Sequence, residues 1–299
     1  WYIDRPLDQE PNRFEQGTID KVQVNGRILS SKPPVLPLLM TGEYVVLREL
    51  FGLDLNDPED TREIIRLLTM TLVGVPYILT LVFFLKSLYM FVADPLARLV
   101  LFFCAGFCTQ LWGYSININN HVPGACFTVI AVYMALGMVV GGRAPSAWRF
   151  FVFGLCGGLV PTIDTPATIY VFLAGLALLV KHPRKTLLWT SLGAAIPLGV
   201  HAGIMMATTG SPLPVQTRQE LYLYRGSYWR HPIQVDALNE PKPTYLFHMT
   251  LGRNGVFALF PILLVGPAAV VRALLRRDMP FRGPILVGGL GFLILTLYY

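Results

Sequence analysis

Residues 122–141 read VPGACFTVIAVYMALGMVVG, a stretch that contains no charged side chain. A helix of this length, at about 1.5 Å per residue, matches the ~30 Å hydrocarbon core of a bilayer. Apolar runs of comparable length recur along the chain on both sides of this stretch. The sequence therefore predicts an all-α fold, a polytopic bundle of transmembrane helices.

Composition indicates the same class of protein. Of the 299 residues, 54% are hydrophobic and 14% are charged, whereas a soluble domain carries about 25% charged residues. This difference excludes an ordinary soluble enzyme. The net charge of +6 does not indicate a nucleic-acid partner, because the basic residues stand at the ends of apolar runs, where they set membrane topology.

The sequence contains four cysteines, Cys104, Cys108, Cys126 and Cys156. We predict that they are buried apolar residues that neither bind a metal nor form a disulfide.

Basic residues mark every second turn between the apolar runs. The turns between them, 116–121 and 162–166, contain no lysine or arginine. By the positive-inside rule the basic turns are cytoplasmic, and residues 1–62 and 209–250 face outward. We therefore expect an integral protein of the bacterial inner membrane whose active side faces outward. The basic turns are 86–98, 143–149, 181–185 and 272–282.

The apolar runs give a single membrane domain with four parts. A first outer loop covers residues 1–62, the main bundle covers 63–208, a second outer loop covers 209–250, and further transmembrane helices cover 251–299. Both ends of the chain suggest a fragment, and we expect a further helix before Trp1. The candidate spans are 64–85, 97–115, 122–141, 149–163, 167–180, 186–207, 254–274 and 283–299.

Residues 35–53, VLPLLMTGEYVVLRELFGL, differ from the other apolar runs because they carry Glu43, Arg48 and Glu49. The charges recur at near-helical spacing, which predicts an amphipathic helix that lies in the membrane interface. A spanning helix is the alternative. Lys32-Pro33-Pro34 precedes this helix, and the lysine would meet a phosphate at the membrane boundary as a point charge. A lysine that snorkels to the interface is the alternative there.

The runs 149–163 and 167–180 are too short to cross the membrane, since helices of this length reach only ~21 Å against a core of ~30 Å. Their shared tip should lie below the outer surface and form the floor of an outward recess. Tilt with local bilayer thinning is the alternative. The tip holds Asp164, an intramembrane carboxylate and hence a functional candidate. Asp164 is equally suited to cap the helix that follows it.

Two polar clusters on the outward side are further candidates. The turn SININNHVP holds Asn119, Asn120 and His121, which could bind sugar hydroxyls or orient a phosphate; helix capping is the alternative. Aromatic residues alternate with arginines in the second outer loop, a pattern that suits sugar stacking and phosphate binding and equally suits an aromatic interface belt. The phosphate candidates there are Arg218 and Arg225, and the sugar candidates are Tyr228 and Trp229.

The order of these features resembles GT-C-type glycosyltransferases, which include the lipid A aminoarabinose transferases and the protein O-mannosyltransferases. Asn25-Gly26, Lys32-Pro33-Pro34 and the amphipathic helix that closes at Phe51-Gly52 are similar to the first outer loop of that family. The turn around His121 resembles the second outer loop, where the family often has an acid before a proline. The Pro-Thr-Tyr-Leu stretch with Tyr245 resembles a Pro-aromatic-Tyr stretch of the family and makes Tyr245 a substrate-binding candidate.

The resemblance implies transfer of a sugar from a polyprenyl-phosphate donor to a lipid, glycan or protein acceptor on the outer face. Lys32, Arg218 and Arg225 would neutralise the donor phosphate, and Asp164 or His121 would orient the sugar or the acceptor. The family's catalytic acid follows a first helix that this chain lacks. The resemblance fixes no cofactor and leaves a divalent metal open, although Ser31 occupies the position where some members have a metal-binding Glu. The rival hypothesis is a non-enzymatic protein on the same scaffold, either a lipid-linked-sugar transporter or an assembly subunit.

Overall fold

The computed structural model describes residues 2–3, 19–231, 241–252 and 255–298. Most of them are helical, which confirms the all-α prediction at the level of fold class. Short polar caps start several helices: the Asp57 side chain accepts hydrogen bonds from Glu59 N and Asp60 N at the start of α2. The helices are α1 Val35–Phe51, α2 Pro58–Thr69, α3 Val75–Phe91, α4 Pro95–Phe107, α5 Gln110–Tyr114, α6 His121–Val139, α7 Ala147–Ile163, α8 Thr168–Lys181, α9 Pro183–Lys185, α10 Ser191–Thr209, α11 Lys242–Thr250, α12 Val256–Leu259, α13 Val265–Leu275 and α14 Arg282–Tyr298.

Three helices within the described ranges are long and apolar enough to cross a membrane. α2 and α3 are joined through a π-helical turn at Met70–Gly74 into one helix, Pro58–Phe91. α9 and α10 are joined in the same way, through Thr186–Thr190, into Pro183–Thr209. The third helix is α6 alone. The other predicted spans correspond to shorter apolar helices, which are Pro95–Phe107, Ala147–Ile163, Thr165–Lys181, Pro261–Leu275 and Arg282–Leu297.

The predicted continuous span 97–115 is wrong, because the helix breaks before its end. α4 stops at Phe107, and Thr109 has an extended backbone with φ −134° and ψ 167°. Hydroxyl groups satisfy carbonyls in the last turn of α4: the Tyr77 hydroxyl donates to Gly106 O at 2.7 Å, and Thr109 Oγ1 donates to Ala105 O at 2.8 Å. Side-chain donors therefore allow the chain to leave the helix within an apolar run.

The largest core cluster lies between α6, α7 and α8, and Phe83 of α3 packs against it. Its fully buried aromatic residues are Phe150 and Phe153 on α7. Cys126 and Cys156 are buried beside them, as predicted. Cys104 on α4 is half-buried and Cys108, directly after α4, is exposed, so burial is wrong for Cys108. α7 and α10 approach each other through glycine: a Cβ on Gly193 would lie 2.2 Å from Phe151 O. Small residues are thus required for the two backbones to touch.

The four basic turns lie together at one end of the bundle, which we call the basic end. Lys181 Nζ donates to Val139 O at 2.6 Å. The rings of Phe91 and Phe281 pack edge to face with centroids 4.7 Å apart, which joins the first basic turn to the last. Further contacts at this end join Lys185 to Pro145 and Met90 to Gly141. The opposite end, which we call the recess end, carries the predicted site residues.

A small antiparallel sheet at the recess end was not predicted. β2 Lys21–Val24 pairs with β3 Arg27–Ser30, and β1 Tyr2–Ile3 pairs with the other edge of β3. Asn25 and Gly26 form the hairpin turn with φ values of 51° and 77°, the left-handed pair that a tight hairpin requires. Valine and leucine side chains of the hairpin are buried against α10 and the second outer loop. From Ile19 onward the first outer loop is therefore a folded part of the molecule.

Candidate functional site

Lys32 stands between the hairpin and α1, where the sequence pattern placed it. Its ammonium forms an ion pair with Asp20, with Nζ 3.1 Å from Oδ2, and both side chains remain partly exposed. The backbone N–H of Lys32 donates to Ser30 Oγ at 3.2 Å. Pro34 then occupies the N-cap position of α1. The hairpin and the prolines together hold the lysine at the rim of the bundle.

Lys32 lines a cavity of about 250 Å³, which we call the Lys32 recess. One wall is the start of α1 and the other is the end of α10, and Val215 of the second outer loop contributes to the lining. The lining combines apolar surface with hydroxyl groups and contains one cation. The hydroxyl residues are Ser30, Thr41, Thr208 and Thr209, and the apolar ones are Leu29, Pro34, Pro37, Ile204, Met205 and Val215.

The second outer loop packs onto the hairpin through long-range hydrogen bonds. Gln216 Nε2 donates to Ser31 O at 2.5 Å, and the indole N–H of Trp229 donates to Ile19 O at 2.9 Å. Tyr222 is hydrogen-bonded to the Ser31 side chain, and burial raises the pKa of its phenol. Tyr222 therefore stays protonated and can donate. These contacts fix the loop over the recess.

The arginines of the second outer loop occupy different environments. Arg218 Nε donates to Glu220 Oε1 at 3.0 Å. The pKa of Glu220 is lowered, first by its own backbone N–H and then by this guanidinium. Nη1 of Arg218 is buried and has no hydrogen-bond partner within the described ranges, so the arginine retains a donor for an anion. Arg225 is exposed in the turn before Gly226 and lies outside the lining of the recess.

Asp164 forms a carboxylate–imidazole pair with His121. Its Oδ2 lies 3.1 Å from His121 Nδ1, and its Oδ1 accepts from Asn120 Nδ2 at 3.3 Å. The carboxylate is 13% exposed, whereas the imidazole is 47% exposed. Gly124 makes room for it, since a Cβ there would lie 2.5 Å from Asp164 Cβ. The pair thus presents an oriented imidazole to solvent, with Tyr114 beside its ring at 5.0 Å.

The predicted role of Asp164 as a cap of the helix that follows it is wrong. Its side chain makes no cap bond to the helical turn that follows it. The carboxylate instead lies at the N-terminus of α6, where the helix dipole favours a negative charge. Asn119 has a capping role as well: its Oδ1 accepts from Val122 N at 3.0 Å and its Nδ2 donates to Tyr114 O at 2.6 Å. These bonds match the capping alternative for Asn119.

The predicted single recess shared by Lys32, Asp164 and the turn 119–121 is wrong in part. The Lys32 recess includes the second outer loop, but Asp164 and the turn 119–121 are outside its lining. The reason is that Asp164 turns toward α6, away from α1. The two groups nevertheless occupy the same end of the bundle, because Ile163 packs against Val35 and Leu36 at the start of α1.

The aromatic candidates lie away from the recess lining. Tyr228 and Trp229 pack edge to face with centroids 5.3 Å apart, and Trp229 also contacts the Tyr222 ring at 6.1 Å. Tyr245 is half-buried on α11. The sequence analysis did not identify Asp20 as the partner of Lys32. It also did not identify the threonines that line the recess, although the polar end of α10, Thr208-Thr209, could have indicated them.

Metal ligands do not cluster in the part of the chain that the structure describes: no three His, Cys, Asp or Glu side chains there could hold one ion. Ser31 is buried. Comparison with known proteins finds no matching family model, no matching curated protein and no matching solved structure. The function must therefore be argued from the chemistry of the recess end.

Proposed function

We propose that this chain is a membrane glycosyltransferase of the GT-C type, which transfers a sugar from a polyprenyl-phosphate donor to an acceptor on the outer face. The observation that carries the proposal is the Lys32 recess. A cation stands at the rim of a cavity whose walls are apolar and whose remaining polar groups are hydroxyls. An amphiphile with a phosphate at one end and a hydrocarbon chain at the other has the matching chemistry.

The donor phosphate would replace Asp20 as the partner of Lys32. That exchange is feasible because the ion pair is partly exposed, and exposed pairs contribute only about 0–1 kcal/mol. The hydroxyls of Thr208 and Thr209 can donate to phosphate or sugar oxygens, while Ile204 and Met205 offer apolar surface to the lipid. Arg218, with one unsatisfied donor, is a second cation for the phosphate at the same end of the molecule.

The Asp164–His121 pair would serve the acceptor. A carboxylate that holds one ring nitrogen leaves the other free to take a proton from an acceptor hydroxyl, as a general base requires. His121 is the exposed member of the pair and Asp164 the buried one, which is the arrangement that this role needs. The acceptor is a lipid, a glycan or a protein, and membrane lipids surround the site.

The test compares the Lys32→Ala protein with the parent protein and measures how tightly each binds the polyprenyl-phosphate donor and how fast each turns it over. Charged hydrogen bonds contribute ~1.5–3 kcal/mol, so polyprenyl-phosphate should bind at least about tenfold more weakly. Lys32→Arg should retain most of the binding. Lys242→Ala is the matched control, because Lys242 is exposed at the start of α11 and outside the recess lining. Unchanged donor affinity in a well-folded Lys32→Ala protein contradicts the phosphate role.

A second candidate function, a non-enzymatic carrier or assembly subunit, is favoured by one observation. Three of the candidate site residues already have a partner: Lys32 with Asp20, Arg218 with Glu220, and His121 with Asp164. The two functions separate in a His121→Ala protein. If the His121→Ala protein loses sugar transfer but still binds the donor normally, the transferase is supported. If the parent protein shows no sugar transfer, and its transport or assembly activity survives the substitution, the second candidate is supported.

A further inference from the structure

A second cavity, of about 340 Å³, lies between α6, α8 and α14 and shares no lining residue with the Lys32 recess. All of its lining is apolar apart from the hydroxyl of Tyr170. We call it the α14 groove. Its lining residues are Val132, Ala135, Leu136, Val139, Tyr170, Leu173, Ala174, Ala177, Gly283, Pro284, Val287 and Gly288.

The groove runs from the middle of the bundle to the basic end. α8 and α14 are antiparallel: Gly291 approaches Tyr170 near the start of α8, so the first residues of α14 lie beside the last turn of α8. Gly283 and Ala177 therefore mark the basic end of the groove. Glycine and alanine line this part, and their small side chains leave the space between the helices open.

Two cations flank that end of the groove. Lys181 lies one helical turn beyond Ala177 on the same face of α8, and its Nζ reaches the backbone of Val139, another lining residue, at 2.6 Å. Arg282 directly precedes Gly283 and donates from Nε to Ala273 O at 2.8 Å. Among the described residues neither cation forms an ion pair with a carboxylate. The lysine keeps further N–H donors, and the arginine keeps both Nη groups.

We propose that the α14 groove binds an anionic phospholipid of the leaflet at the basic end, with one acyl chain between α6, α8 and α14 and the phosphate against Lys181 and Arg282. The two cations beside an apolar groove favour an anionic lipid over other occupants. A further protein helix would fill an apolar groove but would leave the two cations without a counter-charge, whereas a phosphate bound to an acyl chain satisfies both parts. Basic pockets between transmembrane helices favour anionic headgroups for this reason. The proposal is independent of the Lys32 recess.

The experiment measures lipid retention by the purified chain in detergent, using native mass spectrometry during titration with phosphatidylglycerol or phosphatidylcholine. Phosphatidylglycerol should bind about tenfold more tightly, because only its headgroup carries a net negative charge. Gly288→Leu should weaken that binding by a similar factor, since Gly288 lines the groove and a Cβ there meets no other atom within 4 Å. The matched control is Gly199→Leu on α10, where the space is equally open but lies outside the groove.

A second pair of variants tests the contact between the lipid headgroup and the two cations. Lys181→Gln combined with Arg282→Gln should abolish the preference for phosphatidylglycerol, while Lys86→Gln combined with Arg98→Gln, which removes the same charge from another basic turn, should preserve it. Equal retention of the two lipids by the parent protein overturns the proposal. So does a Gly288→Leu protein that binds phosphatidylglycerol normally, or displacement of phosphatidylglycerol by polyprenyl-phosphate, which would assign the groove to the donor.

Discussion

Asp164 is a nearly buried carboxylate whose partners come from the start of another helix. Asp164→Asn keeps the shape but removes the charge that faces His121 and the N-terminus of α6. We expect a loss of about 1–3 kcal/mol of stability, the usual cost when a buried charged hydrogen bond is broken. Thermal unfolding in detergent measures it. Asp278→Asn, the same change at an exposed position of the basic end, should leave the unfolding temperature unchanged; equal shifts for the two variants would contradict a special role for Asp164.

His201 on α10 presents the opposite case. The residue is 5% exposed, and both of its ring nitrogens are buried without a hydrogen-bond partner in the described part of the chain. An unsatisfied buried polar group is costly, and an apolar side chain of similar size removes that cost. His201→Leu should therefore maintain or raise the unfolding temperature. His121→Leu, which removes a paired imidazole, should lower it, and a marked loss of stability in His201→Leu would show that the ring has an unrecognised partner.

At the scale of elements, the contact between α7 and α10 depends on glycine. A methyl group on Gly193 would lie 2.2 Å from Phe151 O and 2.7 Å from Leu155 N, whereas one on Gly199 would meet no atom within 4 Å. Gly193→Ala should separate the two helices and lower the unfolding temperature by several degrees. Gly199→Ala should be neutral or stabilising, since alanine is favoured over glycine in a helix by about 1 kcal/mol. Similar behaviour of the two variants would refute close packing at Gly193.

The elements that the sequence predicted well are those whose signal is local. An uninterrupted apolar run is sufficient to predict α6, and Gly52, with φ 72°, ends α1 near the predicted boundary. The break after Phe107 was not predictable, because it depends on a hydroxyl from Tyr77 on another helix. The hairpin was overlooked for a related reason: its strands are four residues each, and their apolar side chains gain burial only against α10 and the second outer loop.

At the scale of the whole molecule, the clustering of the basic turns leads to a topology prediction. An impermeant maleimide applied from outside should label Arg225→Cys at the recess end and should not label Ser146→Cys at the basic end. Both positions are exposed, whereas Ser31 and Ser227 are buried and would be poor probes. A cysteine-free background removes the signal of exposed Cys108. Labelling in the reverse pattern would place the Lys32 recess on the cytoplasmic side and contradict the proposed outward site.

The sequence was sufficient to predict individual residues of the candidate site, but not how those residues are arranged relative to one another. Lys32 and Asp164 were identified because a lysine beside prolines and a carboxylate within apolar runs are conspicuous in a sequence. The ion pair with Asp20 requires the hairpin to fold back, and the orientation of Asp164 depends on the space left by Gly124. Both are tertiary effects, so the single predicted recess became one cavity and a separate carboxylate–imidazole pair.

The hydrogen bonds from Gln216 to Ser31 and from Trp229 to Ile19 join residues separated by 185 and 210 positions in the chain. During biosynthesis the hairpin emerges long before its partners, because the ten helices α1 to α10 must be made before Val215 and Leu221 can cover it. Contacts of such long sequence separation form late and slowly. The apolar face of the hairpin is thus exposed to chaperones and proteases until Val215 and Leu221 have been made, and the recess is completed only then.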